Sequence, residues 1–574
     1  MSDKYYTNER GLQIIISLLK SHGIRKIIVS PGTTNLTLVM SMQQDSFFEI
    51  YSSVDERSAA YMACGMAAES GEPVAITCTG ATASRNYMPG LTEAFYRKLP
   101  IVALTANQGI KNIGHLIAQN IDRRNLPNDI VRMGVEIPVV RTDEDAWLCN
   151  VNVNKALLEL RHHGGGPVLI NFSSSYSRNF SVRNLPPVRV IKRISHHDSF
   201  PEISAHGNIG IFIGSHREFT ELETIAIEQF CETYNAVCFC DHTSGYHGKY
   251  KVQYALVCAQ PRPNPTRELD LLIHIGEISG DYYGLSILPK KVWRVSEDGE
   301  VKDLFKTLEY VFEMSEYKFF ASYAKTKETA CSTTYFKKCK EEYRRINELM
   351  PELPFGNIWI AKQLANKIPE HSVLHLGILN TLRSWNFFEV PDTVHTYCNV
   401  GGFGIDGIMS TMLGASLASP DKMFFCVIGD LAFFYDLNSI ANRHVGSNLR
   451  IMLINNGRGT EFTNYGHPGH ALGKDAEPFI AASGHFGAQS PQLIQHYAKD
   501  LGFRYISASS KKEFLEVAPE FLSADSPSQP ILFEVFTDSI DESDALKMVL
   551  NIERAPKSVK HVVKSIVKRY LVKK

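Results

Sequence analysis

Polar residues follow two apolar runs near the C-terminus, and their types and spacing could bind a metal ion. Asp430 ends the run FFCVIGD, and Asn456 ends the run LRIMLINN, 26 residues further on (430 to 456). If both runs are parallel strands, their carboxyl ends lie at one edge of a sheet, where ligands bind in open α/β sheets. The spacing therefore predicts that both side chains face one crevice.

The ligand chemistry at this edge favours a divalent cation and a diphosphate. Mg²⁺ takes about six oxygen ligands, and Asp430, the side-chain carbonyl of Asn456 and the backbone carbonyl of Arg458 offer three. Gly457 and Gly459 flank Arg458 and allow the chain to turn there. Phosphate oxygens and a water would complete the shell, with the diphosphate at the start of the following helix. The alternative is a plain strand end with an Asn-Gly turn.

The surrounding pattern indicates the elements that would hold these residues. Short apolar runs such as IRKIIVSPG, PVAITCTG, NIGIFIGS and AVCFCDH alternate with helical segments along the whole chain. This alternation predicts an α/β protein with three doubly wound parallel-sheet domains. Two polar joints, near 183–202 and 336–357, separate them. The expected domains are 1–185, 190–345 and 355–574.

Composition excludes several function classes. Sixty basic and 61 acidic residues among 574 leave no net charge that would favour nucleic acid. Eleven scattered cysteines do not form a disulfide framework and favour a reducing cytoplasm. No signal peptide or membrane-spanning run of ~20 apolar residues is visible. The CFCDHTSGYHG segment offers Cys238, Cys240, His242 and His247, and its C-x-C on an apolar strand is typical of a packed core strand rather than of a zinc site.

The C-terminal stretch RAPKSVKHVVKSIVKRYLVKK is rich in lysine and arginine and contains no acidic residue. Its apolar residues recur at helical spacing, so a basic amphipathic helix is predicted. Contact with a membrane surface and packing against its own domain are both open for this helix.

The motifs together resemble the thiamine diphosphate enzymes along nearly the whole chain. Gly-Asp followed by Asn-Asn about 25 residues later is the metal and diphosphate motif of that superfamily. Within it, GDLAFFYDLN, NVGGFGIDGIMSTMLGAS, SPGTTNLTL and DERSAAYMACGMA are most similar to the menaquinone-pathway 2-succinyl-5-enolpyruvyl-6-hydroxy-3-cyclohexene-1-carboxylate synthases. The resemblance implies a pyrimidine-binding, a central and a diphosphate-binding domain.

The resemblance also implies roles for individual residues. Glu56 would be the glutamate beside the pyrimidine ring of the cofactor, where it holds a proton at N1′; its local alternative is a first-turn acid that favours the helix dipole. Ile405 would support the cofactor in its bent shape, or simply pack in the core. Further cofactor contacts fall on Gly404, Gly429 and Leu431. Substrate-side groups fall on Gln108, His115 and Gln119.

Three positions bear on the substrate. The menaquinone synthases have one arginine at the position of Thr34, next to Thr33, and a second at the position of Val400. Arg383 matches a third arginine, which contacts the substrate in those enzymes. An arginine binds a carboxylate bidentately, so its loss changes the acids that fit. The sequence predicts a donor less acidic than 2-oxoglutarate, such as pyruvate.

The predicted function is decarboxylation of a small 2-oxo acid, dependent on thiamine diphosphate and Mg²⁺, with transfer of the acyl anion to a carbonyl or alkene acceptor. A simple decarboxylase, the menaquinone-pathway synthase itself, a catalytically silent binding paralogue and an oxidoreductase built on the central domain are the alternatives. The resemblance implies a homo-oligomer with active sites shared between chains.

Overall fold

The described part of the chain forms three large parallel sheets with flanking helices, so the α/β prediction is confirmed. The computed structural model describes residues 5–204, 207–324, 333–484, 490–523 and 528–554. By packing, the chain divides into two compact units, Met1–Ser199 with Asp298–Glu313, and Phe200–Glu297 with Met314–Lys574. The boundaries predicted between three domains remain predictions.

The first unit contains a six-stranded parallel sheet in the order β2-β1-β3-β4-β6-β5. The inner strands β3 and β4 are buried along almost their full length, as expected for a sheet covered on both faces. The strands of this unit, with a further strand β7, are β1 Lys26–Val29, β2 Glu49–Ser52, β3 Val74–Cys78, β4 Ile101–Asn107, β5 Met133–Ile137, β6 Val168–Ser173 and β7 Lys192–Ser195.

Helices cover both faces of this sheet and bury apolar stripes against it. The first helix buries Leu12, Ile15, Ile16 and Leu19, and the sixth begins with a capping box between Thr142 and Asp145. The helices of this unit are α1 Arg10–Ser21, α2 Leu36–Gln43, α3 Glu56–Ser70, α4 Thr82–Asn86, α5 Met88–Tyr96 and α6 Asp143–Glu159.

Among the described residues, the second unit contains two large parallel sheets, of which the first has the order β10-β9-β8-β12-β14. Its elements, with the short parallel pair β11 and β13, are β8 Ile209–Ile213, α7 Glu221–Tyr234, β9 Ala236–Cys240, β10 Lys251–Gln253, α8 Ala255–Cys258, β11 Glu268–Leu269, β12 Leu271–Ile275, β13 Leu288–Pro289 and β14 Val292–Val295. Strand β15, Leu308–Glu313, belongs to the first unit, where it pairs in parallel with β7.

The second sheet of this unit is six-stranded and parallel, in the order β17-β16-β18-β19-β21-β20. Its strands are β16 Val373–Leu376, β17 His395–Tyr397, β18 Phe424–Gly429, β19 Leu449–Asn455, β20 Arg504–Ala508 and β21 Ile531–Phe536. The remaining helices of the unit are α9 Glu316–Ala324, α10 Thr334–Glu348, α11 Asn357–Leu364, α12 Asn380–Trp385, α13 Ile408–Ala418, α14 Asp430–Tyr435, α15 Leu493–Asp500, α16 Lys511–Leu522 and α17 Ser539–Val549.

The two six-stranded sheets share one strand order. If the strands of each sheet are numbered from its own first strand, both read 2-1-3-4-6-5. In both sheets the winding direction reverses between the first and third strands, and such a switch point is where α/β sheets bind ligands. The carboxyl ends of β1 and β3, and of β16 and β18, are therefore the places to look for sites.

No helix within the described ranges is long and apolar enough to cross a membrane. The predicted basic helix at the C-terminus lies outside the described residues, which end at Arg554.

Candidate active site

Asp430 lies at the switch point of the C-terminal sheet, immediately after strand β18. It is buried, and its carboxylate accepts backbone N–H bonds from Leu431 at 2.7 Å, Asn456 at 3.2 Å and Gly457 at 2.6 Å. The bonds to Asn456 and Gly457 tie β18 to the turn after β19, where Gly457 takes a φ of 76° that favours glycine. The structure thus brings Asp430 and the backbone of Asn456 together, and their shared role in binding a metal ion remains a prediction.

The amide of Asn456 is oriented by a buried acid. Its Nδ2 donates to Glu542 Oε1 at 3.3 Å, so its Oδ1 must point the other way. That oxygen is buried, and nothing among the described residues donates a hydrogen bond to it. A buried carbonyl oxygen without a donor is costly unless a cation or water meets it.

Glu542 is the centre of a polar network behind Asn456. Besides Asn456, its carboxylate accepts bonds from Asn380 Nδ2 at 2.7 Å and Thr537 Oγ1 at 2.5 Å. Burial raises the pKa of Glu542, while these hydrogen bonds oppose the rise. The network fixes the direction of the Asn456 carbonyl, which is what a metal ligand requires.

These residues fit a hard divalent cation. Asp430 supplies an anionic oxygen and Asn456 Oδ1 a neutral one. The Arg458 carbonyl, which accepts the N–H of Thr460 at 2.9 Å, supplies a third. The Arg458 guanidinium forms an ion pair with Glu477 at 2.7 Å, so it is the backbone carbonyl of Arg458 that is available to bind a cation here. An all-oxygen set of this type is the preferred set of Mg²⁺.

The other predicted cofactor residues lie on nearby segments of the same unit. Gly429 is the last residue of β18, and Leu431 is in the first turn of α14. Gly404 and Ile405 precede α13, and Ile405 is half-buried against the core of this sheet. This half-buried position is compatible with both interpretations of Ile405, cofactor support and core packing.

In the first unit, Glu56 is the first residue of helix α3. The N-cap is its neighbour Asp55, whose side chain accepts the N–H groups of Arg57 at 2.8 Å and Ser58 at 3.2 Å. Glu56 is half-buried and accepts one bond from Asn86 Nδ2 at 3.2 Å. Since Asp55 caps the helix, the Glu56 carboxylate is left for another role.

The three predicted substrate-side residues lie on the loop after β4. Gln108 is half-buried and its Oε1 accepts a bond from Asn120 Nδ2 at 3.1 Å, whereas His115 and Gln119 are exposed. The loop also exposes Leu116, Ile117 and Ile121. The substrate-side roles of Gln108, His115 and Gln119 remain predictions.

Thr33 and Thr34 lie at the switch point of the first sheet, after β1. Thr33 is exposed, and Thr34 is buried with its hydroxyl 2.5 Å from Thr79 Oγ1, which follows β3. A Cβ on Gly32 would lie 2.5 Å from Thr79 Cβ, so the close approach of these segments requires glycine. No charge is present in this hydroxyl pair.

Arg383 is the charged substrate residue that the sequence singled out. It lies in α12, after β16, and its Nη1 and Nη2 donate to the two carboxylate oxygens of Glu461 at 2.7 and 2.6 Å. Burial lowers the pKa of Arg383, but the bonds and charge of Glu461 outweigh it, so the pKa is raised. Tyr282 lies below the guanidinium, at 5.9 Å from its ring centre. Glu461 thus fills the fork that a substrate carboxylate would use.

Val400 is buried in the same unit. A Cβ on Gly280 would lie 3.1 Å from Val400 Cγ1 and 2.4 Å from Leu382 Cδ2, so the packing around Val400 is apolar and tight. The site residues that the sequence analysis missed are Glu461 and Glu542, and no local pattern marks either of them.

The comparisons with known proteins agree with this geometry. Residues 9–126 match the family model "Thiamine pyrophosphate enzyme, N-terminal TPP binding domain". The chain is 32% identical over 565 residues to a 2-succinyl-5-enolpyruvyl-6-hydroxy-3-cyclohexene-1-carboxylate synthase of Bacteroides fragilis, with 94% of this chain and 98% of the relative covered. Synthases of the same name from Bacteroides thetaiotaomicron and Phocaeicola vulgatus are 31% and 30% identical over 560 residues, with the same coverage.

The fold and these matches define the class, a thiamine diphosphate-dependent enzyme. The chain belongs to the thiamine diphosphate enzyme family, in the group that contains these synthases.

Proposed function

We propose that the chain decarboxylates a 2-oxo acid and transfers the acyl anion to a carbonyl or alkene acceptor, with thiamine diphosphate and Mg²⁺ bound. The observation that carries the proposal is the buried, unpartnered Oδ1 of Asn456 beside the buried carboxylate of Asp430. A chain that had lost the chemistry would have no need to keep an oriented, costly oxygen at that place. This speaks against the silent paralogue.

The chain's own residues divide the work. Asp430, Asn456 and the Arg458 carbonyl would hold the cation, and Gly429 and Leu431 would lie against the diphosphate. Glu56 would hold a proton at the pyrimidine N1′ atom, and Gly404 and Ile405 would support the ring system. The bound cofactor supplies the electron sink that lets a 2-oxo acid lose CO₂.

We propose a donor without a second carboxylate, such as pyruvate. Three features support this preference: the uncharged Thr34 and Thr79 pair, the buried Val400, and the closed ion pair of Arg383 with Glu461. A dicarboxylic donor would have to separate that buried pair, which costs several kcal/mol when one partner is left unpaired. Arg383 remains the proposed substrate-side cation. We propose that its ion pair with Glu461 limits which substrate acids it can bind.

The second candidate is the synthase reaction that the relatives' names state. The identity of about 30% over 94% of the chain favours it. It requires that a dicarboxylic donor be accepted despite Glu461. The two candidates therefore differ in the donor and share the cofactor.

One experiment separates the candidates. The chain is incubated with thiamine diphosphate, Mg²⁺ and single 2-oxo acids, with and without aldehyde, ketone or alkene acceptors, while released CO₂ is measured. CO₂ release from pyruvate that increases when an acceptor is added supports the proposal. CO₂ release that does not change when an acceptor is added indicates a simple decarboxylase. Faster turnover of 2-oxoglutarate than of pyruvate favours the synthase, and no release with any acid supports a silent paralogue.

A further inference from the structure

A second group of metal-type ligands lies in the second unit, among residues that the proposed reaction does not use. We call Glu218, His247 and His395 the His-Glu cluster. Glu218 follows β8, His247 precedes β10, and His395 is the first residue of β17, so three separate segments from two sheets converge. Glu218 Oε2 lies 3.0 Å from His247 Nε2, and Glu218 Oε1 lies 2.9 Å from His395 Nδ1.

The donor atoms are spaced as a small metal ion requires. One ligand atom from each residue lies within 4.8 Å of both others. Zn²⁺ binds imidazole nitrogen and carboxylate oxygen at about 2.0–2.2 Å, which places tetrahedral ligand atoms roughly 3.3 Å apart. The two histidine–carboxylate separations, 3.0 and 2.9 Å, are close to that edge length, and the ligand nitrogens of the two imidazoles lie within 4.8 Å of each other, so side-chain rotations would complete the site.

Hydrogen bonding alone does not explain the arrangement. His395 Nδ1 is buried and lies 2.9 Å from Glu218 Oε1, and no donor or acceptor among the described residues meets it in hydrogen-bond geometry. No lysine or arginine of the described part of the chain forms an ion pair with Glu218; the guanidinium of Arg217 is directed to Glu223 at 2.6 Å. Tyr397 Oη approaches Glu218 Oε1 at 3.4 Å, as a group that orients a ligating carboxylate does.

A similar cluster in the first unit provides the contrast. His162 and His163 lie at 3.1 and 3.0 Å from Glu313, but Arg193 also approaches, at 2.9 Å from Glu159 and 3.9 Å from Glu313. There the guanidinium already balances the carboxylates and would repel a cation. The His-Glu cluster lacks such a partner among the described residues.

We propose that the His-Glu cluster binds one Zn²⁺ or a similar borderline divalent metal ion, with a water or other ligand in the fourth position. Two imidazoles and a carboxylate suit such an ion better than Mg²⁺, which prefers oxygen. The ion joins the two sheets of this unit and fixes His395, from which the chain continues through Val400 to the predicted cofactor residues. Its role is structural support of that segment.

The test measures zinc in the full chain without a histidine tag, saturated with thiamine diphosphate and excess Mg²⁺ so that the cofactor site is occupied. After equilibration with zinc and removal of free metal, mass spectrometry should find about one zinc per chain. Glu218→Gln and His395→Phe should lose it, and His163→Phe should keep it. The thermal midpoint of the unaltered chain should rise with zinc, and that of Glu218→Gln should not.

Two results would overturn the assignment. One is an unaltered chain that retains no zinc above background, and the other is zinc retained equally by Glu218→Gln and His395→Phe. If these variants do not fold, X-ray absorption of the zinc-loaded His163→Phe chain decides, because that variant lacks the histidine pair of the other cluster. Imidazole scattering from two ligands supports the cluster, and scattering from oxygen ligands alone refutes it.

Discussion

Asp430 is the residue on which the proposed metal site depends. Replacing it with alanine removes the anionic ligand and the acceptor of three backbone N–H groups. A charge-assisted bond contributes about 1.5–3 kcal/mol, so we expect thiamine diphosphate to bind roughly 10- to 100-fold more weakly at low Mg²⁺. Calorimetric titration at several Mg²⁺ concentrations checks this.

A matched control for Asp430 is Asp436, another buried acid of the same unit, which accepts bonds from Ser410 N and Oγ at 2.7 and 2.5 Å. Asp436→Asn should lower stability and leave the Mg²⁺ dependence of cofactor binding unchanged. An Asp430→Ala chain with unaltered cofactor affinity at low Mg²⁺ would remove Asp430 from the metal site.

Glu56 allows a test that separates acid chemistry from helix capping. Glu56→Gln should keep the fold and the cofactor but stop deuterium exchange at the cofactor's C2 carbon, because an amide cannot hold the N1′ proton. Asp55→Asn is the control, since asparagine also caps helices well. It should retain exchange, measured by NMR after acid quench. Normal exchange in Glu56→Gln would show that another group does this work.

Glu461 determines donor choice in the proposed function. Glu461→Gln removes the anion from the Arg383 fork, so kcat/KM for 2-oxoglutarate relative to pyruvate should rise about tenfold or more. The double variant Arg383→Leu with Glu461→Gln should lose this gain, because no cation remains. If pyruvate turnover persists while the ratio stays fixed, Glu461 has no part in donor choice.

At the level of elements, the strands were predictable because buried parallel strands form short, nearly continuous apolar runs. Strand β19 is an example, with all seven residues buried. The pairing of Asp430 with the turn after β19 followed from the same rule. Glu461 and Glu542 were not predictable, since their partners Arg383 and Asn456 lie 78 and 86 residues away along the chain. Contacts of that range depend on how loops fold over the sheet.

Strand β16 carries a pH-sensitive residue. His375 is buried, and neither of its ring nitrogens has a hydrogen-bond partner among the described residues. Burial lowers the pKa of His375 to about 4, and the pKa of buried His242 likewise to about 4. Below pH ~6.5 these histidines become protonated in the unfolded chain but stay neutral in the folded chain. The free energy of unfolding therefore falls as the pH drops toward 4.

The expected loss over this window is at most about 3 kcal/mol per histidine. His375→Leu should therefore retain its thermal midpoint at pH 7 and lose less of it at pH 5 than the unaltered chain. His242→Leu should already be less stable at pH 7, because Nε2 of His242 lies 3.0 and 3.1 Å from the carbonyl oxygens of Trp385 and Phe388. Equal pH dependence in His375→Leu and the unaltered chain would contradict this account.

For the whole molecule, the repeated strand order has a functional consequence. Each six-stranded sheet has its own switch point, and Glu56 belongs to the first compact unit whereas Asp430 belongs to the second. The family resemblance implies that one cofactor uses Glu56 of one chain and Asp430 of another. We therefore propose that the active enzyme is at least a homodimer.

Complementation between inactive chains tests the shared site. Glu56→Gln and Asp430→Ala chains are each inactive alone, but a mixed dimer contains one site with both changes and one with neither. Random pairing at equal amounts gives roughly half mixed dimers, so activity should recover to about a quarter of the unaltered level. Subunit exchange is followed by mass spectrometry of differently labelled chains. Proven exchange without recovery, or full activity in a stable monomer, would show that each chain builds its site alone.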